Sequence, residues 1–214
     1  MLINLQITIG FTSNNHKLLL AFKPRCNNSE YNVFQWKTFE VVSGKNISTS
    51  FTLDSLVAKM CYEDVQEGKI INCSDSIEKG QSVTFKDITS ISAQFTKPMS
   101  DSTIPSNQFG VHNESSKKGL YLEWFSGGSE RNMICRSISK LYNGTTCCLE
   151  IEQKIYLSIG TQSDLPIIIP TKNIENSRAS FTEWKGISLN PSQQQLNITA
   201  LLDPTTNKPY FQKK

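Results

Sequence analysis

Apolar and polar residues alternate along most of this chain. Ile3, Leu5, Ile7, Ile9 and Phe11 fall on one side of an extended segment and Asn4, Gln6 and Thr8 on the other, the period of two that a half-buried strand requires. The alternation returns at Ile47, Thr49, Phe51 and Leu53, at Val83 and Phe85, at Ile91, Ala93 and Phe95, and at Leu120, Leu122 and Trp124. Leu149 and Ile151 share one parity, and Ile155, Leu157 and Ile159 share the next. Gln153 and Lys154 stand between them, where a bulge or a strand switch belongs. Leu196, Ile198 and Ala200 form the last clear face. The segment from Leu56 to Gln66 fits a short helix or a strand.

Turn-forming clusters separate these runs: Ser13 to His16, Cys26 to Glu30, Ser43 to Lys45, Glu67 to Lys69, Ser126 to Ser129, Asn143-Gly144 and Asp203 to Lys208. Short strands at this spacing, with no helical pattern between them, predict an all-β chain, an antiparallel β-sandwich of about ten to thirteen short strands. No Pro- or Gly-rich linker interrupts the 214 residues, so one sandwich domain over 1–214 is expected.

Composition narrows the function by exclusion. The 22 basic and 19 acidic residues leave a net charge of +3, and the only adjacent basic pairs are Lys117-Lys118 and Lys213-Lys214. That pattern offers no footprint for nucleic acid or an anionic membrane. The segment Met1 to Phe11 has no basic residue and reads as a strand rather than a secretory leader, which gives an intracellular expectation. The longest aliphatic stretches, Leu18 to Phe22 and Leu165 to Ile169, are far shorter than the ~20 residues of a membrane span. Asn-x-Ser/Thr sequons start at Asn27, Asn46, Asn72, Asn113, Asn143 and Asn197, a small excess over the roughly three that chance supplies at these frequencies.

Candidate chemistry is sparse. His16 and His112 are the only histidines, and no nucleophile elbow, phosphate loop, metalloprotease or calcium-loop pattern occurs. An enzyme is therefore not expected, nor a cofactor or metal. The cysteines lack the two-to-four-residue spacing of zinc sites, and acids such as Glu63-Asp64 and Asp75 near Glu78 read as solvated loop residues. Catalysis would need His112 to lie beside a nucleophile and an acid in a cleft. The aromatics Phe34, Trp36 and Phe39, and Tyr121, Trp124 and Phe125, read as core residues on strands. Trp184, near a turn, is the candidate exposed aromatic and the main support for a lectin-like module.

Six cysteines remain: Cys26, Cys61, Cys73, Cys135, Cys147 and Cys148, which permit fifteen pairings. Adjacent residues on a strand point to opposite faces, so Cys147, in register with Leu149 and Ile151, turns inward and Cys148 outward. Cys148 and then Cys26, in its polar turn, are the candidates for an intermolecular disulfide.

Several segments, taken in order, carry a family likeness: LINLQITIGF, KLLLAFK, NVFQWKTFE, NISTSFTL, SNQFGVHN and EIEQKIYLSIG. The chain resembles the small all-β proteins of fungi and bacteria that include octin, the vacuolar crystal protein of a mucoralean fungus. The resemblance covers nearly the whole length and carries no catalytic residue. It implies a structural protein that self-assembles into dense intracellular crystals in a vacuole, as a storage or gravity-sensing body; the extra cysteines of this chain, a departure from the bacterial members, are what would lock such contacts as intermolecular disulfides. The partners expected are other copies of the chain. A lectin-like or membrane-active β-sandwich binding module, with a glycan as its ligand, is the alternative.

Overall fold

The computed structural model describes residues 2–26, 31–62, 70–127, 132–160, 169–170, 184–190 and 192–214. The sequon at Asn27, the acids Glu63-Asp64 and the turn cluster Glu67 to Lys69 lie outside them. Among the described residues there are 21 strands and no helix, so the chain is all-β. The surplus over ten to thirteen comes largely from two- and three-residue strands, too short to register as alternation. One of these is β18 (Ile169–Pro170).

The chain packs as two compact units: Met1–Lys23, Val33–Thr52 and Gln153–Lys214 form the first, Pro24–Asn32 and Leu53–Glu152 the second. Each unit is assembled from separated stretches of chain, so no linker marks a boundary. The parity break at Gln153 is a crossing point between units, which makes it a strand switch.

In the first unit, one sheet orders β21 (Pro209–Lys213), β20 (Gln195–Leu202), β1 (Leu2–Ile9) and β6 (Asn46–Thr52). The β1–β20 pair is parallel; the other two pairs are antiparallel. The second sheet orders β19 (Lys185–Ser188), β17 (Lys154–Gly160), β2 (Ser13–Ala21) and β5 (Lys37–Val41), with a register shift between Ser13 and Lys17. Inward residues of both sheets meet in a core where the rings of Phe22, Trp36 and Phe51 lie 5.0–5.5 Å apart. Such aromatic pairs add ~0.5–1.5 kcal/mol each beyond the area they bury.

The centre of this second sheet is buried on both faces. Leu18, Leu20, Ile155, Leu157 and Ile159 occupy one face, while Leu19, Ala21 and Tyr156 on the other pack with Val33 and Trp184. Strands buried on both sides read as unbroken apolar runs, which explains Leu18–Phe22.

In the second unit, β11 (Ala93–Phe95), β10 (Gln81–Asp87), β13 (Phe109–Asn113), β16 (Thr145–Ile151) and β3 (Pro24–Arg25) form one sheet. The β10–β13 pair is parallel, and β12 (Met99–Ser100) joins β10. A second sheet runs β4 (Tyr31–Val33, of which Tyr31 and Asn32 belong to this unit), β15 (Met133–Ser137), β14 (Leu120–Ser126), β7 (Ser55–Tyr62) and β8 (Ile70–Cys73), with β9 (Ile77–Glu78) on β7. The segment after Leu56 is thus a strand rather than a helix. Phe109 and Trp124, one from each sheet, place their rings 6.4 Å apart. Ile91 departs from its expected strand: it is 89% exposed in the turn between β10 and β11, while Ala93 and Phe95 are buried.

Candidate functional site

The outer face of the β21–β20–β1–β6 sheet differs from an ordinary solvent face. Outward positions on β1 are Leu2, Asn4, Gln6 and Thr8; on β6, Asn46, Ser48, Ser50 and Thr52; on β20, Gln195, Asn197, Thr199 and Leu201; on β21, Tyr210 and Gln212. None is charged; Lys213 and Lys214 stand at the corner where the chain ends. Side chains cross-link the face. Gln195 Nε2 donates to Gln6 Oε1 (3.3 Å) and Asn197 Oδ1 (3.1 Å), and Thr8 Oγ1 donates to Asn46 Oδ1 (3.0 Å). The Thr199 hydroxyl is buried without a hydrogen-bond partner among the described residues. Leu2 and Tyr210 are exposed at 57% and 43%. Amides and hydroxyls both donate and accept, so such a face can meet a second identical face without like-charge repulsion.

None of the six cysteines forms a disulfide. Cys147 is buried and Cys148 half-buried on the opposite face of β16, as the parity argument predicts. Cys26 is also half-buried, and its thiol donates to the Cys148 carbonyl oxygen at 2.9 Å. The two candidate intermolecular partners therefore occupy one place. Burial, then Cys26 and Asp101, push the Cys148 thiol pKa up, which slows its reaction because the thiolate is the nucleophile. Cys135 is fully buried, with its pKa raised by burial and then by Cys26. Cys26, Cys135 and Cys147 all act on the buried Tyr31 hydroxyl, whose pKa rises well above the ordinary tyrosine value, mainly through burial. Cys61 is pushed up to about 12 by burial and by Glu123. The exposed cysteine is Cys73, at the end of β8. Sequence reasoning did not single it out, because β8 shows no alternation to orient it.

The structure brings His112 beside a hydroxyl and an acid. His112 Nδ1 lies 2.9 Å from Thr146 Oγ1, and Nε2 lies 2.7 Å from Asp101 Oδ2. Asp101 also accepts from Ser82 Oγ (2.7 Å), Thr103 Oγ1 (2.7 Å) and Thr103 N (2.9 Å). These bonds, those of Thr103 first, then Ser82 and His112, hold the Asp101 pKa well below the usual carboxylate range. The network ties the turn after β12 to β10, β13 and β16. That turn lays Ile104 on Gly110, where an added Cβ would sit 2.7 Å from the Ile104 side chain. Four donors share the carboxylate, which makes it an anchor for the turn. His16, the other histidine, bonds Ser13 Oγ (2.6 Å) in a pocket of about 150 Å³ with Phe11, Ile159, Leu202 and Asn207 among its lining residues. Among the described residues no group of three or more His, Cys, Asp or Glu side chains is arranged to hold a metal ion.

Trp184 corrects the sequence reading. It is 6% exposed, because the second face of the β17–β2 centre needs a large apolar cover and Trp184 supplies it. Trp36 and Trp124 are buried as expected, so no tryptophan remains as an exposed sugar platform. Among the sequons, Asn113 is buried, its amide donating to the Tyr142 carbonyl (3.0 Å). Among the described residues no helix is long and apolar enough to cross a membrane. No protein-family model matches the chain, and neither a curated protein nor a solved structure does.

Proposed function

We propose that this is a non-enzymatic structural protein that assembles with copies of itself into dense intracellular bodies, the role implied by its resemblance to the vacuolar crystal proteins, as storage or as a gravity-sensing mass. The observation that carries the reading is the uncharged outer face of the β21–β20–β1–β6 sheet. Four strands about 4.8 Å apart and roughly eight residues long present on the order of 400–500 Å². A stable pair buries ~800 Å² per partner, so one such contact is weak. Weak contacts repeated through a lattice give a dense body that still dissolves. Disulfides that lock the assembly fall first on exposed Cys73, with Cys148 and Cys26 next.

Sedimentation velocity over a wide concentration range, with and without a reducing agent, tests this. Large species that grow with concentration are expected, and a chain that stays monomeric at high concentration with all thiols free would refute it. Non-reducing gels of Cys73→Ser, Cys148→Ser and Cys26→Ser assign the locking thiol.

A second reading, a glycan-binding module, is favoured by exposed Tyr210 on the same amide-rich face. Binding on a glycan array that Tyr210→Ala abolishes would support it; silence there removes it.

A further inference from the structure

The geometry points to β6 as a strand that pairs edge to edge with β6 of a second copy, continuing the β21–β20–β1–β6 sheet across a two-fold axis; this deepens the assembly reading and rests on it. β6 ends the sheet order. Ile9 N–H donates to the Lys45 carbonyl (3.0 Å), so odd-numbered β6 residues turn their backbone toward β1. Asn46, Ser48 and Ser50 then turn their N–H and C=O groups to the open side, and among the described residues nothing pairs with them there.

Natural sheets blunt their edges with charge, proline, bulges or brevity. Among the described residues every other edge does so. β5 spans five residues and carries Lys37 and Glu40, and β21 carries Pro209 and Lys213. The remaining edge strands span four residues or fewer. Among the described edge strands β6 alone is seven residues long with no charge, no proline and an unbroken register against its neighbour, β1.

The occupant follows from the strand's own chemistry. Antiparallel pairing about Ser48 sets Ser48 opposite Ser48 of the second copy and Asn46 opposite Ser50, making about six backbone hydrogen bonds with no like charges opposed. Lys37 Nζ bonds the Thr49 hydroxyl (2.8 Å). Thr49 shares the inward parity of Ile47 and Phe51, so this charge lies beneath the sheet and out of the pairing plane. An isologous contact of this kind closes as a pair and leaves the flat outer face free for further contacts.

The test uses the full chain under reducing conditions, which removes disulfides from the result. Ser48→Lys sets two ammonium groups opposite one another at the axis. Ser48→Pro removes the outward N–H, a change that an edge strand tolerates in its own fold. Sedimentation velocity should show self-association at least tenfold weaker in both variants, with Thr38→Lys on β5 matching the unchanged chain. If circular dichroism shows that Ser48→Pro has lost its sheet, Ser48→Lys is read against Gln6→Lys, which puts the same charge on the outer face one strand in from the edge: a loss of pairing confined to Ser48→Lys supports the edge contact, and an equal loss in both overturns it. Assembly of Ser48→Lys at the level of the unchanged chain would overturn the edge pairing and leave the assembly reading standing. A monomeric unchanged chain would overturn both.

Discussion

Replacing Tyr31 by phenylalanine should stabilise the protein, although it removes a polar atom from a strand in the core. The Tyr31 hydroxyl is buried and has no hydrogen-bond partner among the described residues. The Trp124 indole N–H interacts with it enough to favour the phenolate slightly, but neither group meets hydrogen-bond geometry with a partner. Burying an unpaired hydroxyl costs ~1–3 kcal/mol in proteins. Deleting the oxygen leaves a gap of about 10 Å³, which at ~24 cal/mol per Å³ costs about 0.2 kcal/mol. The net expectation is about 1 kcal/mol of added stability, or a rise in Tm of roughly 2–4 °C for a chain of this size. Urea unfolding followed by near-ultraviolet circular dichroism checks this: the midpoint should rise with the slope m unchanged. Destabilisation by 1 kcal/mol or more would refute the reasoning, because it would mean that the hydroxyl is held by a bond worth more than its burial costs.

Gly127→Ala should destabilise by about 1–3 kcal/mol, the usual cost of overpacking. Its Cβ would sit 2.7 Å from the Ser55 carbonyl oxygen, backbone that cannot swing aside; a melting temperature equal to that of the unchanged chain would count against this. Asp101→Asn tests the carboxylate network through pH. Because the folded pKa is depressed, the contribution of Asp101 is whole above the ordinary Asp range, ~4, and is lost as pH falls below it. The variant should therefore be less stable at neutral pH and lose less stability on acidification. Denaturation curves for the two chains that stay parallel from pH 6 to pH 2 would contradict the network. Alkylation of the native protein, read by peptide mass spectrometry, should modify Cys73 first and Cys26 and Cys148 more slowly. Cys61, Cys135 and Cys147 should react only after denaturation, and rapid native labelling of Cys135 would show the core assignment to be wrong.

The sequence by itself determined the strands and the faces they present, since side-chain alternation is a local property of an extended backbone. It placed Ile3 to Ile9, Cys147 and Trp124 inward and Cys148 outward, and the structure agrees. It also placed the uncharged residues of β1, β6 and β20 outward, one strand at a time. Only the tertiary structure decided that these strands share one sheet, because the parallel β1–β20 pair joins residues almost two hundred positions apart. The two compact units were equally hidden: alternation reads the same whichever sheet a strand joins, and each unit draws on separated stretches of chain. Asp101, His112 and Thr146 carry no shared motif and meet only because β13 pairs with β16 and the turn after β12 folds over β13. Trp184 looked exposed for the same reason. Its burial depends on the second face of a distant sheet, and no local pattern shows how many faces of a sheet will be covered.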